Sequence, residues 1–125
     1  VDNWKGAIGL EPLEKAIEAA RAADSKSALD VIVLDMQPIM TLCDYFLICH
    51  GRSKQHCQAI SEAIKEHCDQ QGIPIAHIEG FADATWIILD CLDVVVHVFS
   101  EEARDFYDLR RLWGVAEEVI LPAFE

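Results

Sequence analysis

A chain of 125 residues with 52% hydrophobic and 26% charged side chains has the size and composition of one globular domain, which excludes a disordered chain. No apolar run approaches the ~20 residues that span a bilayer, and the acidic N-terminal stretch lacks a signal peptide's hydrophobic block. The formal net charge of −12 is uneven, with 6 Lys and Arg against 9 Asp and Glu in residues 1–62, and 4 against 13 in residues 63–125. Such a surface keeps a protein soluble and repels phosphate backbones, so no direct nucleic-acid contact and no membrane are expected; a basic protein partner suits it.

The first predicted element is an Ala-rich helix over EPLEKAIEAARAAD, residues 11–24, with Pro12 in its first turn and an apolar stripe of Leu13, Ile17 and Ala20. ALDVIVLDM, around 28–36, reads as a strand, and YFLICHG, at about 45–51, as a second one after the turn signal QPIMTLCD. Gly51 and Ser53 mark a strand-to-helix turn, with Ser53 as N-cap of a helix that Gly72 stops. On that helix Cys57, Ile60, Ile64 and Cys68 form a core stripe. PIAHIEG, 74–80, reads as a third strand.

WIILDCLDVVVHVF, 86–99, reads as a hairpin turning at Cys91-Leu92-Asp93. Alternation along a strand sorts it into two faces. Ile87, Leu89, Cys91, Val94, Val96 and Val98 make an apolar core face. Trp86, Ile88, Asp90, Asp93, Val95, His97 and Phe99 make the other, which mixes an aromatic anchor with charge. That mixture fits an interface hot spot with a charged rim, or a face covered by the last helix. Ser100 caps this helix, EEARDFYDLRRLW, with Phe106, Leu109 and Trp113 as its stripe. The tail 115–125 has no clear state. The order is α-β-β-α-β-β-β-α, an α/β (α+β) class chain with a mixed five-stranded sheet flanked by helices.

Little catalytic chemistry is legible. His56-Cys57 and His67-Cys68 share a helix face but lie about 16 Å apart along the axis, too far to ligate one ion. The five cysteines, Cys43, Cys49, Cys57, Cys68 and Cys91, form no C-x-x-C pair and sit in apolar patterns. They read as reduced core residues, hence a cytoplasmic setting. HGRSKQ resembles a phosphate-cradling turn but lacks the full Walker spacing, and no D-x-D or D-x-E pair falls on a predicted strand for two-metal chemistry.

The runs DVIVLDM, CDYFLICHGRS, PIAHIEG and ATWIILDCLDVVVHVFSEEARDFYDLRRLW closely resemble the ribosomal silencing factor (RsfS, iojap) family over about residues 11–114. Trp86, Asp90, Asp93, His97, Arg104, Tyr107, Leu109, Leu112 and Trp113 fall at the family's spacing. The resemblance implies a nucleotidyltransferase-like fold without the catalytic motif, so no enzyme and no cofactor. It implies binding to the large ribosomal subunit through the basic large-subunit ribosomal protein fourteen, which blocks joining of the small subunit and represses translation. Organelle relatives act in ribosome assembly, and the family forms homodimers when free. The contact surface that carries over is Trp86, Ile88, Asp90, Asp93, Val95 and His97, with Leu92 at a position where the family commonly has Gly. A Gly there permits a positive φ that Leu adopts at a cost. The rival reading, from the fold likeness and the HGRSKQH turn, is a nucleotide-binding or nucleotidyltransferase-like enzyme.

Overall fold

The computed structural model describes residues 10–124; the acidic stretch read at the N-terminus lies largely outside the described residues. Helix α1 (Pro12–Ser25) opens with Pro12 in its first turn and a reciprocal cap between Glu11 and Glu14. Strands β1 (Leu29–Asp35) and β2 (Tyr45–Gly51) follow, then helix α2 (Lys54–Gln71), β3 (His77–Glu79), β4 (Trp86–Asp90) and β5 (Val94–Ser100). As expected, the Ser53 side chain caps α2 by accepting from the His56 N–H, and Gly72 ends it at φ 72°.

The sheet order is β3-β4-β5-β2-β1-β6, where β6 (Glu117–Val119) is a strand that the sequence did not disclose. The expected five-stranded sheet is therefore six-stranded. Three residues, two of them Glu, carry too little alternation to read as a strand; β6 forms because Val33–Asp35 of β1 offers an open edge. Only β2 and β5 run parallel, joined through the crossover by α2, and all other neighbours are antiparallel.

The expected final helix also divides, into α3 (Glu101–Tyr107) and α4 (Leu109–Leu112). Asp108 adopts φ 37° and its side chain accepts from the Arg111 N–H, starting a second helix. This resets the helical phase. Phe106, placed in the stripe by a continuous 3.6-residue period, is 81% exposed, while Leu109 is buried and Trp113 half-buried.

Each sheet face has its own core. On one, Val33, Leu47, Cys49, Ile87, Leu89, Cys91, Val94, Val96 and Val98 pack under α1 and α2, so the core parity of the hairpin is as read. The α2 stripe Cys57, Ile60, Ile64 and Cys68 is fully buried. The α1 stripe needs correction. Its buried face is Ala16, Ala19, Ala20, Ala22 and Ala23, whereas Leu13 is 39% exposed and Ile17 only half-buried. Alanines let α1 sit close to both α2 and the sheet, which favours the small-residue face over the larger one. On the opposite sheet face, Leu34, Met36, Phe46, Ile48 and Phe99 pack with Ala103, Leu109 and Ala116.

Candidate functional site

The face of β4 and β5 turned away from α1 and α2 is only partly roofed. Trp86, Ile88, Asp90 and Val95 are half-buried on it, and Leu92 at the turn is 51% exposed. Helix α3 reaches its Trp86 end, where Tyr107 lies 4.6 Å from the indole and Phe99 5.0 Å, centroid to centroid. Of the two alternatives read from the sequence, cover by the last helix holds at this end only, and the rest of the face lies outside that cover.

Helix α3 is held there by Arg104. Its Nη1 donates to the carbonyl oxygens of Asp30 at 2.7 Å and Leu29 at 3.3 Å, and to Nδ1 of His50 at 3.1 Å. Those carbonyls are available because β1 bulges between Leu29 and Ile32, with Asp30 at φ 46°. Burial and the adjacent guanidinium both push the His50 pKa below its ordinary value, so His50 acts as a neutral acceptor.

The seven residues expected to meet a partner do not play one role. Trp86, Ile88, Asp90, Leu92 and Val95 border one surface. Asp90 Oδ1 accepts from the Leu92 N–H at 2.9 Å and so shapes the turn, in which Leu92 has φ 70°. The expected cost of Leu at this position is thus a feature of the fold. The Asp93 carboxylate is drawn instead to Lys15 of α1, 2.8 Å away. His97 is 6% exposed and lies behind Trp86, accepting the indole N–H at Nδ1. Its pKa falls to about 4 because burial penalises the charged ring.

Tyr107 and Phe106 extend the same surface. Sequence reading assigned Phe106 to the core because nothing short of the Asp108 backbone angle reveals the phase change.

Among the described residues, the groups that the rival chemistries would use have other partners. In the HGRSKQ turn, His56 Nδ1 accepts from the Arg52 N–H at 2.9 Å and its Nε2 bonds the Lys26 carbonyl at 2.7 Å, a structural use of this residue. The cleft of about 630 Å³ beside it sets Glu101, Glu102 and Asp105 against Arg52 and Lys54, a balance unfavourable to a polyphosphate. His67 bonds Glu18 at 2.7 Å, and no group of three or more metal-ligating side chains occurs among the described residues. All five cysteines are buried and free. Burial lifts the Cys49 thiol to about 12 and, with Asp44 and Asp90 nearby, Cys43 to about 11, far from a reactive thiolate. No helix among the described residues is long and apolar enough to cross a membrane.

Residues 10–125 match the family model described as ribosomal silencing factor during starvation. The chain is 49% identical over 98 residues to the ribosomal silencing factor RsfS of Bacillus subtilis (strain 168), covering 78% of this chain and 83% of that protein. It is 31% identical over 91 residues to the mouse (Mus musculus) protein named mitochondrial assembly of ribosomal large subunit protein 1, covering 70% of this chain and 40% of that one. A crystal structure of a protein from Chromobacterium violaceum superposes with a TM-score of 0.82 at 29% identity, covering 92% of each chain. The family model matches nearly the whole chain and the Bacillus relative most of it: this chain belongs to the ribosomal silencing factor (RsfS) family.

Proposed function

We propose that this protein is a cytoplasmic, non-enzymatic repressor of translation that binds the large ribosomal subunit through the outer face of β4 and β5. The partner on the subunit is the basic large-subunit ribosomal protein fourteen, and the bound protein occupies space that the small subunit needs for joining. One observation carries the reading: Trp86, Ile88 and Val95, with the exposed Leu92, form an apolar row on a sheet face that α3 covers only at one end. Around it stands a chain of net charge −12, which favours encounter with a basic partner. The relatives' names support a role in ribosome silencing or large-subunit assembly. A free protein with this row exposed is expected to self-associate through it, as a homodimer.

The test is co-sedimentation with purified large ribosomal subunits, alongside a subunit-joining assay read by sucrose gradient. Wild type should pellet stoichiometrically and suppress joining. Trp86→Glu and, further from α3, Ile88→Glu should each lose on the order of 2–4 kcal/mol of binding if the row is a hot spot. Chemical unfolding of both variants separates lost binding from lost fold. Wild type that stays in the supernatant would refute the reading.

A further inference from the structure

Trp86 is the largest side chain of the apolar row, and three neighbours brace it. Phe99 and Tyr107 contact its ring, but ring contacts resist rotation only weakly. The third brace is directional. Trp86 stands opposite Phe99 in the β4–β5 register and Ile88 stands opposite His97, so Trp86 and His97 are diagonal neighbours on one face. Across that diagonal the indole Nε1–H donates to His97 Nδ1 at 3.1 Å.

An indole nitrogen can only donate, so His97 must accept at Nδ1 and carry its proton on Nε2. Nε2 is buried and has no hydrogen-bond partner among the described residues. Leaving a buried donor unpaired costs stability, and an apolar ring of the same size at this position would avoid the cost. Among the described residues, the bond to the indole is the one hydrogen bond that the imidazole makes here and a phenyl ring could not.

We propose that His97 is a positioning residue for the partner surface: its Nδ1 fixes the tilt of the Trp86 indole, so that the anchor is presented already ordered. This rests on the reading of the outer hairpin face as the ribosome-binding surface. An ordered anchor binds more tightly because less side-chain freedom is lost on association. His97, itself covered, acts through Trp86 and not by touching the partner.

The experiment uses the full chain labelled with ¹⁵N and purified large ribosomal subunits. Trp86→Phe identifies the Trp86 indole N–H signal by its loss. His97→Phe keeps the ring and removes the acceptor; the indole signal should shift and exchange faster with water, and binding should weaken about three- to tenfold, the scale of ordering one side chain. Its thermal stability should stay close to wild type, since the unpaired Nε2 is gone while the half-buried indole N–H loses its acceptor. His97→Asn puts a carbonyl oxygen where Nδ1 stood and should restore the indole signal and much of the binding. An unshifted indole signal in His97→Phe, or wild-type binding by a His97→Phe whose signal has shifted, would overturn the proposal. Should Trp86→Glu bind like wild type, the reading of the face itself fails, an outcome distinct from the other two.

Discussion

Lys15 of α1 and Asp93 of the β4–β5 turn form an ion pair of 2.8 Å in which Lys15 is 11% exposed and Asp93 42%. The pair ties the helical layer to the tip of the hairpin, and it turns toward α1 a carboxylate that alternation alone would assign to the opposite face. Lys15→Met keeps the aliphatic stem and removes the charge. Because Asp93 retains access to water, the expected loss is only about 1 kcal/mol, smaller at high salt. Urea unfolding of the variant at low and high ionic strength checks this. Asp93→Asn should produce a comparable loss of stability with little change in binding to large subunits.

Leu92 sits at φ 70°, where an L side chain crowds its own backbone. Leu92→Gly should raise stability by roughly 1 kcal/mol if relief of strain outweighs the added freedom of the unfolded chain. The same change deletes a 51% exposed apolar side chain at the end of the Trp86 row, so binding to large subunits should weaken. A variant that is both less stable and tighter binding would contradict the account of this turn.

Gly80 has φ 78°, and a Cβ placed on it would overlap the Trp86 carbonyl oxygen. That oxygen belongs to a strand with a paired neighbour on either side, so it cannot move freely. Gly80→Ala combines backbone strain with overlap and should cost about 2–4 kcal/mol. Differential scanning calorimetry reads the effect directly.

Stability should fall with acid through the buried histidines. The His97 pKa is about 4 in the fold against an ordinary 6.5, so between these values the unfolded chain binds the extra proton and the native state does not. The stabilisation is fully present above pH 6.5 and is lost progressively toward pH 4, by roughly 3 kcal/mol in all. His50, also lowered, acts in the same direction. Unfolding free energies measured from pH 7 to 4 should slope less in His97→Phe than in wild type.

Phe106 provides a contrast. At 81% exposure, Phe106→Ser should change stability by less than about 0.5 kcal/mol, whereas Leu109→Ala, in the buried position, should cost about 2 kcal/mol or more. Comparable losses in both variants would mean that α3 continues through Asp108.

The sequence by itself determined the local and periodic features of this protein. The alternation in 86–99 separated the hairpin's core face from its outer face, Ser53 and Gly72 delimited α2, and the four-residue stripe on α2 identified its buried side. Each is dictated within a few residues by strand pleat, helical period or backbone sterics. The family motif named most of the outer face as well. Tertiary structure alone decided what those residues do there. It recruited Asp93 to Lys15, 78 residues away in the chain, placed His97 behind Trp86, and added β6 to an open strand edge. It also turned Phe106 outward through one backbone angle at Asp108. Contacts between distant segments leave no period in the sequence, because they depend on which elements lie side by side once the sheet has formed.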